Sequence, residues 1–250
     1  MEAGDRNVGR DAVLGAGALG LTVALRLAQR GRRVTVFERE PLPGGLAAGF
    51  RIEPGIWLEK FYHHLFRSDR HAIALIEELG LQGALEWQRP LTATWRNGRP
   101  WQLDSPASLL RFRPLPAADR LRMGAGLAAL RALPNPGPLE GRTAESWIRR
   151  WMGPGALRVV WGPLFEAKFG AAAPEIGLPW FWARIHDRTA ELGYLRGGFQ
   201  ALYAVLAERV ASFGGELRFG ATVARVEPVG SAPGLVVRLA DGTSERFERV

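Results

Sequence analysis

The sequence predicts an α/β fold, with a parallel-sheet region near the start of the chain, a mostly helical middle and an antiparallel region at the other end. The first observation is an apolar run, Ala12–Leu14, that leads into closely spaced glycines, a helical stretch over about 18–29 and a β-branched run over 34–37. A strand, a turn, a helix and a second strand in this order are typical of a parallel sheet. The second observation is at the other end, where apolar stretches alternate with turn sequences as in a three-stranded antiparallel meander, over 223–228, 235–239 and 246–250.

The middle of the chain is expected to be mostly helical, with one β-hairpin. Two aromatic-bearing strands meet at Asn97-Gly98, which is a strong signal for a hairpin turn. A proline cluster at 134–138 separates helical stretches. We expect helices over 71–79, 106–110 and 117–133, another from Thr143 onward, and an aromatic-rich helical region over 151–190.

The glycines after the first strand have the spacing of a dinucleotide site. Gly15 permits the tight turn that leaves the strand, and Gly17 has no side chain, so a pyrophosphate can approach the backbone. Gly20 lets the following helix pack close to the strand. The first residues of this helix, Ala18 and Leu19, offer free N–H groups at its positive dipole end. The motif therefore predicts that an adenine dinucleotide binds here through its phosphates.

An acidic residue ends the second strand, at the distance that such a site requires. Glu38 lies 38 − 20 = 18 residues after Gly20. A carboxylate at this place can accept hydrogen bonds from ribose hydroxyls, and it would repel the 2′-phosphate of NADP. The strand, helix, second strand and terminal Glu together make the glycine motif more specific than its spacing alone.

The segment from Glu38 to Ala47 makes the interpretation more specific still. Its sequence, Glu-Arg-Glu-Pro-Leu-Pro-Gly-Gly-Leu-Ala, resembles the segment after the ribose-binding acid in a flavoprotein superfamily. That superfamily includes flavin-containing amine oxidases, protoporphyrinogen oxidases, phytoene-type carotenoid desaturases and UDP-galactopyranose mutases. The resemblance implies FAD as the cofactor, with backbone N–H groups of Gly44 and Gly45 near its pyrophosphate and flavin. It also places Arg39 and Leu46 beside the cofactor, although many members carry Arg where this chain has Leu46.

A second match lies near the end of the sequence. Residues 194–202, Tyr-Leu-Arg-Gly-Gly-Phe-Gln-Ala-Leu, resemble the Gly-Gly turn that returns the chain to the FAD domain, and a helix over about 200–213 is expected to follow. Residues 216–226 resemble the strand pair whose valine contacts adenine through its backbone, which implies this role for Val223. The resemblance covers both ends of the chain well and the middle loosely.

The resemblance also implies a domain organisation. A Rossmann-like FAD-binding domain, with a parallel sheet and an antiparallel β-meander, is expected from residues 1–70 and 191–250, and a mostly helical substrate domain from 71–190. In the family a further long segment completes the substrate domain. We therefore expect this chain to be the front portion of a longer flavoenzyme, with the second FAD segment truncated at Val250.

Composition and charge limit the classes of partner. With 47% hydrophobic and 23% charged residues the chain is an ordinary globular protein, and its lack of cysteine excludes disulfides and thiolate metal sites and suits the cytoplasm. The net charge of +8 comes from scattered arginines that form no basic face, so no nucleic-acid partner is expected. No transmembrane segment is expected, whereas peripheral contact with an anionic membrane is an alternative that the charge allows. Residues 1–10 are polar and expected to fray.

Four residues are candidates to line a substrate site. His63 and His64 are adjacent between aromatic residues, soon after the glycine pair, and one of them could face the flavin or substrate. The alternative is a buried, satisfied His beside an exposed one. A metal site is not expected, because adjacent side chains diverge. Lys168 and Arg184 lie in the aromatic-rich region, where they could line a cavity, or the aromatics could form core with solvated charges around them.

These features indicate an FAD-dependent oxidoreductase of the amine oxidase and protoporphyrinogen oxidase kind. By resemblance, C–H or C–N oxidation of a small organic substrate delivers a hydride equivalent to flavin N5, and oxygen or another acceptor reoxidises the flavin. No side chain is assigned as a catalytic acid or base. The alternatives are a flavoenzyme without net redox chemistry, of the UDP-galactopyranose mutase kind, a truncated non-catalytic FAD-binding remnant or half of a split protein, and an NAD(P) dehydrogenase.

Overall fold

The computed structural model describes residues 9–230 and 232–250 of the chain. The strands are β1 (Arg10–Leu14), β2 (Arg33–Glu38), β3 (Gly49–Glu53), β4 (Ile56–Glu59), β5 (Leu65–Phe66), β6 (Leu85–Gln88), β7 (Ala93–Arg96), β8 (Arg99–Gln102), β9 (Leu192–Leu195), β10 (Glu216–Phe219), β11 (Val223–Pro228), β12 (Leu235–Leu239) and β13 (Ser244–Phe247). The helices are α1 (Ala18–Gln29), α2 (Arg70–Glu78), α3 (Pro106–Arg111), α4 (Ala117–Ala132), α5 (Ala144–Trp147), α6 (Pro154–Ala156), α7 (Gly162–Phe169), α8 (Leu178–His186) and α9 (Phe199–Ser212).

The chain divides into two compact units. The described part of residues 1–65, together with 69–88 and 193–250, forms the first unit, and residues 66–68 with 89–192 form the second. Our expected boundary at residue 71 thus differs from the geometric one. Segment 69–88 belongs to the first unit because α2 contributes Ile76, which is fully buried, to the core of that unit.

A parallel sheet with the strand order β1-β2-β10 organises the first unit. In its register Val13 lies opposite Val36, and Leu14 lies opposite Phe37. The strand β10 pairs with the other side of β2. Near the end of the chain Arg249 forms a parallel bridge with Asp11, so β1 also has a partner on the side away from β2. The predicted parallel sheet is therefore confirmed.

The helices α1 and α9 pack together in the core of the first unit. The apolar residues of β1, β2 and α2 complete this core. Burying one such Leu or Val side chain stabilises the fold by about 1.5–3 kcal/mol relative to its exposure. The most deeply buried members include Leu21, Leu25, Val36, Leu206 and Val210.

The antiparallel meander β11-β12-β13 is present, but its third strand differs from our prediction. The prediction placed that strand at residues 246–250, whereas β13 ends at Phe247. The reason is the turn at Asp241-Gly242, which closes through a hydrogen bond from Leu239 N to Thr243 O, so pairing resumes at once. The predicted turn over 230–234 includes Ser231, which lies outside the described residues.

Two further expectations for the first unit need correction. We expected residues 1–10 to fray; residues 1–8 lie outside the described part, but Arg10 already belongs to β1, where its carbonyl accepts a hydrogen bond from Glu248 N. The sequence analysis also identified no paired strands directly after the glycine pair. The structure has a complete hairpin there, in which β3 pairs with β4.

The second unit is mostly helical, as expected, and contains the predicted hairpin β7-β8. Asn97 and Gly98 both have positive φ angles, of 52° and 74°, as a tight two-residue hairpin turn requires. Two π-helical segments, Ile148–Met152 and Leu157–Trp161, lie within its helical region. Most of the aromatic-rich region forms core, since Phe165 and Phe181 are almost fully buried.

No helix among residues 9–230 and 232–250 is long and apolar enough to cross a membrane.

Candidate functional site

The glycine turn between β1 and α1 has the geometry that its spacing predicts. Gly15 has a φ of +97°, a conformation that glycine adopts without strain, and its N–H donates to Phe37 O at 2.7 Å. A Cβ atom on Gly20 would lie 1.9 Å from Gly15 O, so only glycine allows this approach of helix and turn. Gly17 is the N-cap of α1 and makes no side-chain cap, which leaves the first N–H groups of the helix, including those of Ala18 and Leu19, to bind an anion.

The carboxylate of Glu38 lies against this turn. Its Oε2 accepts a hydrogen bond from Ala16 N at 2.6 Å, and its Oε1 accepts one from Glu40 N at 2.9 Å. The residue is buried, with 7% of its surface exposed. Each carboxylate oxygen has a second lone pair, so the group can still accept hydrogen bonds from a ribose.

The loop with the glycine pair is joined directly to the glycine turn. Gly44 N donates to Ala16 O at 2.8 Å, and a Cβ on Gly45 would lie 3.2 Å from Gly17 Cα. Gly44 and Gly45 have φ angles of +128° and +57°. The two glycine motifs therefore form one backbone surface. The side chains of Leu19 and Leu46 beside it are 79% and 78% exposed.

Two other predicted cofactor residues lie at the edge of this surface. Arg39 is exposed, and its Nε lies 3.6 Å from Glu40 Oε1. Val223 is half-buried in β11 and packs with Ala221 against Phe37 and its neighbours. Because Ala221 N donates to Glu38 O at 2.8 Å, the start of the meander is held beside the ribose acid.

The two histidines lie in the first unit and are both half-buried, so the alternative of one buried beside one exposed histidine does not describe them. His63 Nδ1 lies 2.6 Å from Phe61 O, and its ring contacts Phe199 edge-on. The ring of His64 lies 6.4 Å from that of Tyr194. Tyr194 is among the residues that line a cavity of about 360 Å³, the others being Gly55, Ile56, Trp57, Glu59, Leu195, Arg196, Gly197 and Gly198.

Lys168 and Arg184 lie in the second unit and meet at one aromatic ring. Lys168 belongs to α7 and Arg184 to α8, and both are exposed. Their charged groups lie 6.0 Å and 5.4 Å from the ring centre of Trp180. Within the part of the chain that the structure describes, no three His, Asp or Glu side chains are grouped as metal ligands.

The sequence analysis missed Gln200, which the structure places against the glycine-pair loop. Its side chain is buried, with 4% exposure of the residue, and it hydrogen-bonds to Pro43 O and Gly49 N. The available signal was a polar residue in the first turn of a helix that is otherwise apolar on its inner face. The partners lie more than a hundred residues earlier, so spacing could not identify them.

These elements define a class of protein: an α/β protein with the glycine turn and acidic residue that are typical of dinucleotide-binding proteins. The chain belongs to the family of flavin containing amine oxidoreductases, which matches residues 20–250. FAD is therefore its cofactor. The backbone surface at Gly17 and Gly45, the uncapped start of α1 and the Glu38 carboxylate fit the pyrophosphate and ribose of FAD.

Similar proteins share this fold. A phytoene dehydrogenase of Streptomyces griseus is 28% identical over 262 aligned positions, covering 90% of this chain and 50% of the relative. Putrescine oxidase with bound putrescine has 20% identity and a TM-score of 0.68, covering 97% of this chain and 57% of that one. Reduced UDP-galactopyranose mutase has 20% identity and a TM-score of 0.69, covering 96% and 54%. At these identities the two solved structures show a shared fold, and the chain spans about half the length of these relatives.

Proposed function

We propose that the protein is an FAD-dependent oxidoreductase that oxidises a small organic substrate by hydride transfer to the flavin. The family match supports this proposal, because it covers residues 20–250. The single structural observation that carries it is the hydrogen bond between Glu38 Oε2 and Ala16 N, since it combines a ribose acceptor and a phosphate-binding turn in one site.

We assign cofactor roles to the residues of this surface. The N–H groups of the α1 start, at Ala18, Leu19 and Gly20, bind the pyrophosphate, and Gly15 and Gly17 allow its approach. Glu38 accepts hydrogen bonds from the ribose. The further members of the proposed site are Arg39, Gly44, Gly45 and Leu46 along the loop, and Val223 at the adenine.

When FAD is bound, its isoalloxazine ring supplies the hydride-accepting chemistry. The chain's own contribution is to bind and orient the cofactor. Gly44 and Gly45 present backbone rather than side chains to it, so the cofactor can lie close to the loop. The buried Glu38 carboxylate holds the ribose end, and a carboxylate at this place would repel a phosphate on that ribose.

We propose four substrate-lining residues, which form two pairs in different units. In the first unit His63 and His64 contact Phe199 and Tyr194, which lie at or beside the 360 Å³ cavity, so their ring nitrogens are suitable to donate to or accept from a substrate. In the second unit Lys168 and Arg184 flank Trp180, and this arrangement suits an anionic or aromatic group.

The experiment is a flavin spectrum followed by substrate reduction. The purified protein, with FAD added if needed, should show flavin absorption bands, and anaerobic addition of an oxidisable amine, porphyrinogen or polyene should bleach them. Oxygen should then restore the bands. Protein that is folded by circular dichroism but binds no FAD would refute the proposal.

Other results would redirect the proposal. Ring contraction of UDP-galactopyranose by the reduced protein would indicate a mutase-type reaction without net redox. Bound flavin that no substrate of these classes bleaches would indicate a non-catalytic FAD-binding protein. We also propose a cytoplasmic location, because the chain has no cysteine that needs an oxidising compartment; cell fractionation would test it.

A further inference from the structure

A buried glutamine joins the two ends of the glycine-pair loop. Gln200 lies in the first turn of α9. Its Nε2 donates a hydrogen bond to Pro43 O at 3.0 Å, and its Oε1 accepts one from Gly49 N at 2.9 Å. These two partners are the residues on either side of the segment that contains the glycine pair. Because the residue is 4% exposed, water does not compete effectively for these groups.

Backbone hydrogen bonds shape the inside of the loop between these partners. Gly44 and Gly45 both have positive φ angles, which a glycine adopts at a high entropic cost on ordering. A short 3₁₀ turn, with Ala47 N bonded to Gly44 O and Ala48 N to Gly45 O, closes the loop internally. A carboxamide is suited to join its ends, since it donates and accepts at once.

The loop also connects Gln200 to the glycine turn. Gly44 N donates to Ala16 O at 2.8 Å, and Ala16 N donates to Glu38 Oε2 at 2.6 Å. At the other side, Glu59 Oε1 accepts from Phe199 N at 2.9 Å and so fixes the start of α9. A continuous set of hydrogen bonds therefore runs from α9 through the loop to the ribose acid.

We infer that Gln200 is a positioning residue for FAD: its carboxamide holds the glycine-pair loop in the conformation that the cofactor needs. This inference rests on the proposed binding of FAD at this loop. Gln200 is not placed in contact with the cofactor. It acts through the backbone of Pro43 and Gly49. Through Gln200, the segment that follows the Gly197-Gly198 turn becomes a structural part of the proposed cofactor site.

The test uses Gln200→Glu, which has the same shape. A protonated carboxyl group still donates and accepts, whereas an ionised one only accepts and faces the Pro43 carbonyl. Burial and the charge of Glu59 both raise the pKa of a carboxyl group at this position. We expect the FAD dissociation constant of the variant to exceed that of wild type by about tenfold at pH 8, and to return to within roughly threefold at pH 5.5.

Other titrating groups at this end of α9 require wild-type measurements at both pH values. Glu59 bonds to Phe199 N, and the ring of His63 contacts Phe199. Burial, and then the charge of Glu59, raises the pKa of Tyr203. Comparing variant with wild type at each pH removes their contributions.

Two further variants make the result specific. Gln82→Glu introduces the same charge at an exposed site of the first unit and should leave FAD affinity unchanged at both pH values. Gln200→Met removes both hydrogen bonds but keeps an apolar side chain of similar length, so it should weaken FAD binding at pH 8 and at pH 5.5 alike. If circular dichroism shows that Gln200→Glu is unfolded at pH 8, Gln200→Met replaces it as the variant that tests the inference.

A second measurement needs no FAD. At pH 8, amide hydrogen exchange at Gly44 and Gly49 should be faster in the apo form of both Gln200 variants than in apo wild type. If wild type itself binds no FAD, the proposed function fails, and this exchange still decides whether Gln200 holds the loop. Variants that match wild type in FAD affinity at pH 8 and in exchange at both amides would overturn the inference.

Discussion

At the scale of single residues, the proposed cofactor surface depends on glycines, which carry no side chain. Gly17 and Gly45 approach each other so closely that a Cβ on Gly45 would lie 3.2 Å from Gly17 Cα. The backbone of two distant motifs is thereby brought together. Gly20 is more restrictive still, because its Cβ would lie much closer to backbone, 1.9 Å from Gly15 O.

We expect Gly20→Ala to damage this site. The added Cβ would lie 1.9 Å from Gly15 O, so helix and turn must separate. The free energy of unfolding should fall by about 1–3 kcal/mol, and FAD affinity should fall by at least about tenfold.

Gly124→Ala in α4 is the matched control. Its Cβ would make an ordinary contact at 3.6 Å with Leu109, so alanine there should be neutral or stabilising by up to about 1 kcal/mol. Equal effects of the two substitutions would contradict this explanation. Urea unfolding and flavin fluorescence titration measure both quantities.

At the scale of elements, a charged contact ties α1 to α2. Arg26 of α1 donates to both carboxylate oxygens of Glu78, the last residue of α2, at 2.5 Å and 2.6 Å. Gln29 Nε2 also donates to Glu78, at 3.1 Å. The contact offsets the unfavourable position of a carboxylate at a helix C-terminus. It brings α2 onto the helix that follows the glycine turn.

This contact gives a pH dependence that we can predict. The hydrogen bonds from Arg26, and then from Gln29, lower the pKa of Glu78 to about 2 from an ordinary value of 4.5. A lowered folded-state pKa stabilises the protein above the unfolded pKa, and this stabilisation is lost as the pH falls from about 4.5 to about 2. Both side chains are partly exposed, so the stabilisation should be below about 1 kcal/mol.

The comparison of wild type with Glu78→Gln isolates this effect. The difference in their free energies of unfolding should be present at pH 6 and should decrease as the pH falls below about 4.5. Glu77→Gln, at the exposed neighbouring position, is the control and should show no such decrease. A difference between wild type and Glu78→Gln that is independent of pH would argue against the ion pair as its cause.

At the scale of the whole molecule, the two units are built in different ways. The first unit draws on three separated stretches of the chain, and the second consists almost entirely of residues 89–192. In the first unit the two ends of the described chain meet at one ion-pair cluster. Arg32 contacts the buried Asp11 through two hydrogen bonds of 2.6 Å and contacts Glu248 at 3.0 Å.

Asp11→Asn should therefore destabilise the first unit selectively. The substitution removes a charged hydrogen-bond acceptor from a partly buried Arg32, which should cost about 2 kcal/mol. Seven of the nine tryptophans lie in residues 89–192, so tryptophan fluorescence reports mainly on the second unit, whereas far-ultraviolet circular dichroism reports on both. In unfolding experiments, Asp11→Asn should lower the midpoint of the transition seen by circular dichroism more than the midpoint seen by tryptophan fluorescence.

A surface ion pair of the first unit supplies the control for this prediction. Glu86→Gln breaks the contact with Arg196, whose side chain is 72% exposed, and should change stability by less than about 1 kcal/mol. If Asp11→Asn lowers the free energy of unfolding by no more than Glu86→Gln does, burial of Asp11 does not increase the stabilisation by its ion pair.

The sequence predicted those parts of the fold that depend on neighbouring residues. The glycine turn, α1 and β2 follow from spacing within about thirty residues, and the hairpin β7-β8 follows from Asn97-Gly98 alone. The boundaries of α4 and α9 were predicted to within a residue for the same reason. Local propensity and the tertiary structure agree at these elements.

The features that the sequence did not predict depend on distant partners. The third meander strand was placed too late, because residues 248 and 249 pair with β1 rather than with β12. The hairpin β3-β4 was missed although Pro54-Gly55, between its two strands, is a turn signal. The bonds of Gln200 to Pro43 and Gly49 have no local signal at all.

The glycine-pair loop has a consequence for the order of events during synthesis. The partners of Gln200 precede it by 151 and 157 residues, so the loop cannot be completed until the ribosome has synthesised residue 200. Contacts between such distant residues form slowly, because a long loop must close first. The helical unit, whose residues are nearly contiguous, can fold while the nascent chain still lacks α9. We therefore expect cofactor uptake to follow the folding of the inserted helices.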